Sequence, residues 1–464
     1  MLNKVKTESQ KKENPRAPKG MRDIIGEKFF EYQGFYEKAA EVAIYYGFTP
    51  IETPFLEQEE VFTRTAGEAS DIVEKELYSL KTKGGDRLAL RPEFTAGVMR
   101  AYMENGMQSL PQPVMLYSFG PVFRHDRPQR GRFRDPRQFN LEILGSDKSI
   151  SDAMTIHVIY MILREVGVPN ISFEVNSVGD KECRGIFRRE LTNYYKKHLG
   201  ELCRDCLRRL KDNPLRLLDC KTCTSLKEGA PSSISFLCEE CKRHFKEVLE
   251  YLEALGIPYT VNNWLVRGFD YYTRTAFEVF SLPNEEVVAP ESGTIETVEG
   301  EGEKVEKKEV KEVVEEEAPA LLALGGGGRY DYLAKELGSN KPVPAMGAAL
   351  GVDRVIALAD RANLIPRILK KPKVYFIQLG FEAKLKSLGV VEILHQAKIP
   401  LMHSLSKDGL GAQLATAEKL KIPYTIILGQ KEVIEESVIV RDMSNRSQKS
   451  VPIAKLADYI KKLK

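Results

Sequence analysis

Apolar residues recur at helical spacing from Glu27 to Tyr46, with Phe30, Phe35 and Ala39 among them, and Gly47 stands where a helix-ending glycine is expected. Phe48–Phe55 reads as extended, and its Pro50 and Pro54 exclude a central place in a sheet. The pattern then predicts a strand over Arg87–Glu93 ending at Pro92, a helix over Phe94–Glu104 and strands over Val114–Phe119 and Gln138–Leu144. A helix over Ser151–Val166 and a strand over Ile171–Val175 follow, with further strands at Trp264–Val266, Thr275–Phe280 and Leu321–Leu324. Neighbouring strands without a helix between each pair imply antiparallel pairing with helices to one side. That is an α+β fold, not a doubly wound one.

From residue 370 the pattern changes. Lys373–Leu379, Tyr424–Leu428 and Val438–Asp442 are apolar strands, and Phe381–Ala397 and Leu410–Leu420 are helices. This alternation predicts a small α/β domain over 370–464 with a mixed, mainly parallel sheet, reached through the linker Pro366–Pro372. The rest divides into a tail over 1–17 expected to be disordered, a strand-rich domain over 18–176 and 264–365, and an insertion over 177–263.

Charge matters only once it is divided by region. Asn284–Ala318 carries 13 Glu and 4 Lys, a net −9, so an overall +3 leaves the remainder at +12. A basic body fits a nucleic-acid partner. The acidic segment has no aromatic residue and little to bury, so disorder over 284–318 is expected, with a β-ribbon through Val298–Val314 as the alternative. No run of apolar residues is long enough to span a membrane, and the polar N-terminus lacks a signal-peptide core. The expected location is the cytoplasm, without a membrane partner, and the seven cysteines are expected to be reduced.

Candidate chemistry concentrates in three places. Six arginines crowd between Arg124 and Arg137, with Pro128 and Gly131 in their midst. This suggests two strands joined by a mobile loop that aims guanidinium forks at phosphates. The second place is Arg267-Gly268-Phe269-Asp270-Tyr271-Tyr272. The third is Gly325-Gly326-Gly327-Gly328-Arg329-Tyr330-Asp331, followed by Gly347 to Arg354. No Gly-x-x-x-x-Gly-Lys loop is present, so a bound nucleotide must be held by arginines on a sheet.

Taken in order, these segments resemble the histidyl-tRNA synthetases, a family of class II aminoacyl-tRNA synthetases. The resemblance runs from about Pro18 to the C-terminus. Gly47–Pro54 resembles class II motif 1, the arginine loop motif 2, and Gly347–Arg354 motif 3. The Arg-Gly-Phe-Asp-Tyr-Tyr and Gly-Gly-Arg-Tyr-Asp elements resemble the two histidine-specific signatures. The resemblance implies an antiparallel class II sheet flanked by helices, a helical insertion domain clasping the tRNA acceptor stem, and a C-terminal anticodon-binding domain. It also implies a homodimer through the Glu27–Tyr46 helix and the strand after it. On its residues alone, that helix reads rather as an ordinary amphipathic helix packed inside its own domain.

The activity implied is ATP-dependent attachment of L-histidine to histidine tRNA through a histidyl-adenylate, with Mg²⁺ bridging the outer phosphates. Matched motif to motif, Arg124 and Arg267 are the catalytic arginines at the α-phosphate, and Arg354 meets the γ-phosphate. Arg124, Arg354 and Glu93 form the ATP set. Glu142 and Tyr272 read the imidazole, while Glu93, Thr95 and Gln138 take the α-amino group. Tyr271 and Tyr330 complete the histidine pocket. Arg127, Gln129 and Arg130 at the loop tip face the acceptor end of the tRNA. The alternative function is a non-catalytic regulatory or histidine-sensing paralogue. Retention of Arg124, Arg267, Arg354 and the C-terminal domain favours the enzyme.

The insertion departs from the family pattern. It carries Cys203/Cys206, Cys220/Cys223 and Cys238/Cys241, three Cys-x-x-Cys pairs. Two such pairs make a tetrahedral site, so a structural Zn²⁺ on four of the six is expected, with the choice of four open.

Overall fold

The computed structural model describes residues 15–66, 72–126, 132–282, 323–404 and 408–463. The acidic segment 284–318, nearly all of the tail and the loop tip Arg127–Gly131 lie outside them. The chain divides into two compact units, the first ending at Pro366 and the second beginning at Arg367.

The first unit runs α1 (Glu27–Tyr45), β1 (Thr49–Pro50), β2 (Leu56–Gln58), α2 (Glu59–Ala66), β3 (Ser79–Lys81), β4 (Arg87–Leu90), α3 (Thr95–Glu104), β5 (Val114–Pro121), β6 (Arg137–Leu144) and α4 (Ser149–Glu165). It continues with β7 (Ile171–Ser177), α5 (Lys181–Lys196), α6 (Arg204–Asp212), α7 (Glu239–Ala254), β8 (Tyr259–Val261), β9 (Thr273–Ser281), β10 (Gly325–Arg329), α8 (Leu333–Glu336), β11 (Ala345–Gly351) and α9 (Val352–Leu358). Eight strands form one sheet in the order β1-β5-β6-β11-β10-β9-β7-β8. Its central pairs are antiparallel; only the outer pairs β1/β5 and β7/β8 are parallel.

Strand alternation gives this sheet two unlike faces. Along β6, Phe139, Leu141 and Ile143 enter the core with Phe35, Ala39 and Ala43 of α1 and Ile156, Ile159 and Ile162 of α4. Gln138, Asn140 and Glu142 point to the other face. Helix α1 ends at Gly47, whose φ of +90° favours glycine and turns the chain toward β1. β1 carries Pro50 and stays at the sheet edge, as its missing N–H requires.

Three expectations need correction. Trp264–Val266 is not a strand: Leu265 N donates to Asn262 O at 3.0 Å in a turn, and the pairing strand is β8 just upstream. The strand expected at Leu321–Leu324 is β10, Gly325–Arg329. Glycine has little strand propensity, so its pattern hid the element. The second unit holds β12 (Val374–Gln378), α10 (Phe381–Gln396), β13 (Leu401–His403), α11 (Leu410–Lys419), β14 (Tyr424–Leu428), α12 (Gln430–Ile434), β15 (Ser437–Asp442), β16 (Gln448–Pro452) and α13 (Ile453–Lys462). Its order β13-β12-β14-β15-β16 joins two parallel to two antiparallel pairs, so the sheet is mixed rather than mainly parallel.

Candidate active site

The polar face of the first sheet is floored by small residues. One row across the strands reads Leu116, Glu142, Gly347, Gly328 and Ala276; the next reads Ser118, Asn140, Ala349, Gly326 and Glu278. The glycines make room for neighbouring side chains. A Cβ at Gly347 would stand 1.8 Å from Glu142 Oε2, one at Gly328 2.8 Å from Tyr272 Cδ1, and one at Gly326 2.7 Å from Arg267 Nη1. These glycines therefore form a flat bed over which Glu142, Tyr272 and Arg267 lie.

Above this bed is a cavity of about 440 Å³. Of the residues singled out from sequence, Glu93, Thr95, Arg124, Gln138, Arg267, Tyr271, Tyr272 and Arg354 line it. Glu142 is buried behind two of the lining residues, Thr95 and Gly347, and Tyr330 is buried against Glu142. Arg124 follows β5, and its Nε donates to Pro92 O at 2.9 Å. Arg354, at the start of α9, donates from Nη1 to Ala323 O at 2.6 Å. Burial, with Arg132 and Arg124 nearby, lowers the Arg354 pKa. Guanidinium groups held together against repulsion await an anion. Arg267 pairs with Glu278, and its Nε, with Gln138 Oε1 and Asn140 Oδ1, is buried without a partner. Those three polar atoms border the cavity and can be satisfied by a ligand.

Behind the lining residue Thr95 is an acid held by hydroxyls. Thr95 Oγ1 donates to Glu142 Oε1 at 2.7 Å, and Tyr330 OH donates to Oε2. Burial pushes the Glu142 carboxyl up to about 8, a rise that these two hydrogen bonds hold back and Glu93 reinforces. Glu93 itself accepts from the backbone N–H groups of Thr95 and Ala96, the latter at 2.9 Å, so it fixes the N-terminus of α3. Burial raises its pKa as well.

The signature arginine of Gly325–Asp331 points away from the cavity. Arg329 is fully buried and pairs with Asp152 of α4 and, at 3.1 Å, with Asp331. Asp152 also accepts from Thr275 Oγ1 at 2.6 Å and lies 2.7 Å from His244 Nε2 of α7. This knot fixes β10 so that the next residue, Tyr330, reaches Glu142.

Sequence reasoning missed Arg132, Asn140, Glu278 and Asp152. Asn140 and Glu278 were detectable, since they alternate with core residues on strands whose neighbours were already assigned. It also missed the insertion's reach. Arg216 Nη1 donates to Gly268 O at 2.5 Å, Asn213 Nδ2 to Asp270 Oδ1 at 2.5 Å, and Arg184 to the carbonyls of Asp270 and Tyr272. Hence the insertion braces the loop that carries Arg267 and Tyr272. Arg127, Gln129 and Arg130 lie outside the described residues.

The six Cys-x-x-Cys thiols do not gather in one place. The ligand atoms of Cys203, Cys206, Cys220 and Cys223 lie within 4.8 Å of one another, while Cys238 and Cys241 group with Asp180 and Cys183.

An antiparallel sheet with converging arginines over a glycine floor, and no phosphate loop, defines a class II aminoacyl-tRNA synthetase. A family model described as histidyl-tRNA synthetase matches residues 20–187, and one described as an anticodon binding domain matches 373–463. The histidine–tRNA ligase of Desulforamulus reducens is 36% identical over 446 residues, 96% of this chain and 98% of that one. That of Aquifex aeolicus is 37% identical over 445 residues, 96% of this chain and 100% of the relative. The crystal structure of apo S. aureus histidyl-tRNA synthetase matches with a TM-score of 0.74 at 28% identity, covering 97% of this chain and 100% of the other. The chain belongs to the histidyl-tRNA synthetase family.

Proposed function

We propose that the chain joins L-histidine to histidine tRNA in two steps, releasing diphosphate and then AMP. The observation that carries this reading is a single cavity lined by Arg124, Arg267 and Arg354 together with Thr95 and Tyr272, with the Glu142–Tyr330 pair buried behind Thr95. In the first step the histidine carboxylate oxygen bonds to the α-phosphorus of ATP, and the bond to the bridging oxygen of the β-phosphate breaks. Negative charge grows on the α-phosphoryl oxygens. We assign Arg124 and Arg267, which line the cavity, to neutralise it, and Arg354 and Arg132, which also line it, to hold the outer phosphates. No proton carrier is required, so fixed guanidinium groups are the chemistry the step needs. Mg²⁺ enters with ATP as part of the substrate.

Glu142 and Tyr272 read the two imidazole nitrogens, with Tyr271 and Tyr330 closing the pocket. An amino acid without ring nitrogens leaves the Tyr272 hydroxyl and the remaining hydrogen-bonding capacity of the Glu142 carboxyl, beyond its bonds from Thr95 and Tyr330, unused, which is the basis of rejection. Because Glu93 is occupied at α3, Thr95 and the free Gln138 Oε1 are the better acceptors for the α-amino group. Arg127, Gln129 and Arg130 are assigned to the tRNA acceptor end on the sequence resemblance.

Cys203, Cys206, Cys220 and Cys223 fit a structural zinc. Cys203 Sγ and Cys220 Sγ are 3.8 Å apart, the edge expected of a tetrahedron with bonds of about 2.3 Å. Cys203 N donates to Cys223 Sγ at 3.3 Å, as backbone amides do toward thiolates. The metal would close the segment that presents Asn213 and Arg216 to the active-site loop. A second copy of the chain is the proposed partner for the apolar surface around α1, where Ile25, Ile44 and Tyr45 are 76%, 56% and 83% exposed. The proposed location is the cytoplasm; among the described residues no helix is long and apolar enough to cross a membrane.

The test is charging of a histidine tRNA transcript with labelled histidine and MgATP. Acid-stable label on the tRNA is expected. None, from a folded preparation, would refute the assignment.

A further inference from the structure

We infer that the chain holds a second thiophilic metal site, for a zinc ion, made by Asp180, Cys183, Cys238 and Cys241. The four ligand atoms lie within 4.8 Å of one another. The site is independent of the Cys203–Cys223 group and uses residues from the two ends of the insertion. Asp180 and Cys183 open α5, the first element after β7, and Cys238 and Cys241 open α7, the last helix before β8.

The local chemistry is that of a ligand set. Asp180 divides its carboxylate between two tasks. Its Oδ1 caps α5, accepting from Glu182 N at 3.0 Å and Cys183 N at 2.9 Å. Its Oδ2 faces away from the helix, 3.3 Å from Cys241 Sγ and 3.5 Å from Cys238 Sγ. The third sulfur, Cys183 Sγ, accepts from Cys238 N at 3.1 Å, and Cys238 Sγ accepts from Cys241 N at 3.5 Å. Backbone amides aimed at two of three sulfurs stabilise thiolates, and the N-termini of two sixteen-residue helices add their dipoles. Gly179, at a φ of +71°, brings the chain so close that a Cβ there would stand 2.4 Å from Cys183 Cβ.

Ordinary packing does not account for this group. Cys183 and Cys241 do touch Leu237 in a small apolar cluster. Yet Cys238 is exposed, and an apolar cluster has no use for a carboxylate oxygen between two thiols. Three sulfurs and one carboxylate oxygen at this spacing suit tetrahedral zinc. Such an ion ties the entry of the insertion to its exit, 55 residues later in the chain from Cys183 to Cys238. It also sets the start of α7, from which Glu240 reaches Arg274 at 2.7 Å and His244 reaches Asp152.

The experiment is the zinc content of the full chain purified without added metal or chelator, in the wild type, Cys203→Ser, Cys238→Ser and Asp180→Asn. Asp180→Asn keeps an oxygen for the helix cap and removes the ligand charge, so it tests the site even where Cys238→Ser folds poorly. Two zinc ions per chain are expected in the wild type, falling by about one in Cys238→Ser and in Asp180→Asn, and by a different one in Cys203→Ser. A wild type with a single zinc that is lost only in Cys238→Ser and Asp180→Asn would support this site and refute the other. A count unchanged by either of these two substitutions overturns the inference. Thiol titration of the native wild type gives a readout that needs no variant. The exposed Cys238 should react only after a chelator is added; immediate reaction overturns the inference as well.

Discussion

Adding a single methyl group at Gly326 should disable the enzyme without touching a charged residue. Its Cβ would lie 2.7 Å from Arg267 Nη1 and 3.0 Å from Cζ, and 2.5 Å from Phe277 O. Ordinary carbon contacts begin near 3.5 Å. The guanidinium must therefore retreat by nearly ~1 Å, and the backbone contact cannot be relieved by a rotamer change. A displacement of ~1 Å at a charge-stabilising group costs on the order of 10²-fold in rate. Overpacking of a rigid strand costs roughly 1–3 kcal/mol in stability. Gly326→Ala should thus lower histidine-dependent ATP–diphosphate exchange about a hundredfold while the protein stays folded by circular dichroism. Gly389→Ala is the matched control. Gly389 lies within α10, and a Cβ there meets nothing within 4 Å. It should keep full exchange and gain about 1 kcal/mol from helix propensity. Exchange by Gly326→Ala within about threefold of wild type would refute the claim that the glycine bed exists to admit Arg267.

Glu142→Gln keeps the shape of the side chain but replaces a carboxyl that is largely protonated at neutral pH, and that can pass its proton to a bound imidazole, with an amide that cannot, so histidine activation should fall by about tenfold to a hundredfold, in line with loss of a charge-assisted hydrogen bond. Its effect on stability should have the opposite sign. Burial raises the Glu142 pKa from 4.5 to about 8, so the folded chain keeps a proton that the unfolded chain loses above about 4.5. The stability this provides is complete below about 4.5 and is lost as pH rises through about 8; urea melts of Glu142→Gln should show a flatter fall over that window. Arg329→Met takes the guanidinium from the fully buried Asp152 carboxylate and leaves it only Thr275 and His244, which should cost about 3–5 kcal/mol by urea denaturation. Cys220→Ser, by loosening the segment that presents Asn213 and Arg216, should reduce diphosphate exchange about tenfold, the worth of one to two bracing hydrogen bonds; an effect on tRNA transfer alone would show that the brace forms without the metal.

Much of the site was legible because its residues sit in local runs. Arg124, Arg267, Tyr272, Tyr330 and Arg354 were found by segment, and the strand pattern of Gln138–Leu144 placed Glu142. What stayed hidden depends on pairing across the sheet or between helices. Gly325–Arg329 is a strand because β9 and β11 pair with it on both sides, which no local propensity reports. Cys183 is a lone cysteine in sequence and joins Cys238 and Cys241 only through the packing of α5 against the segment before α7. Asp152 lies in an apolar helix that gives no sign of its buried partner Arg329. The bracing role of Asn213 and Arg216 appears only when the insertion folds back on the loop at Gly268.

The central claim is tested most directly by ATP–diphosphate exchange measured with each of the twenty standard amino acids in turn. Exchange with histidine and with no other amino acid is the expected result, since Glu142 and Tyr272 are proposed to read the imidazole beside Arg124 and Arg267. Exchange with a different amino acid, or none with histidine in a folded preparation, would contradict it.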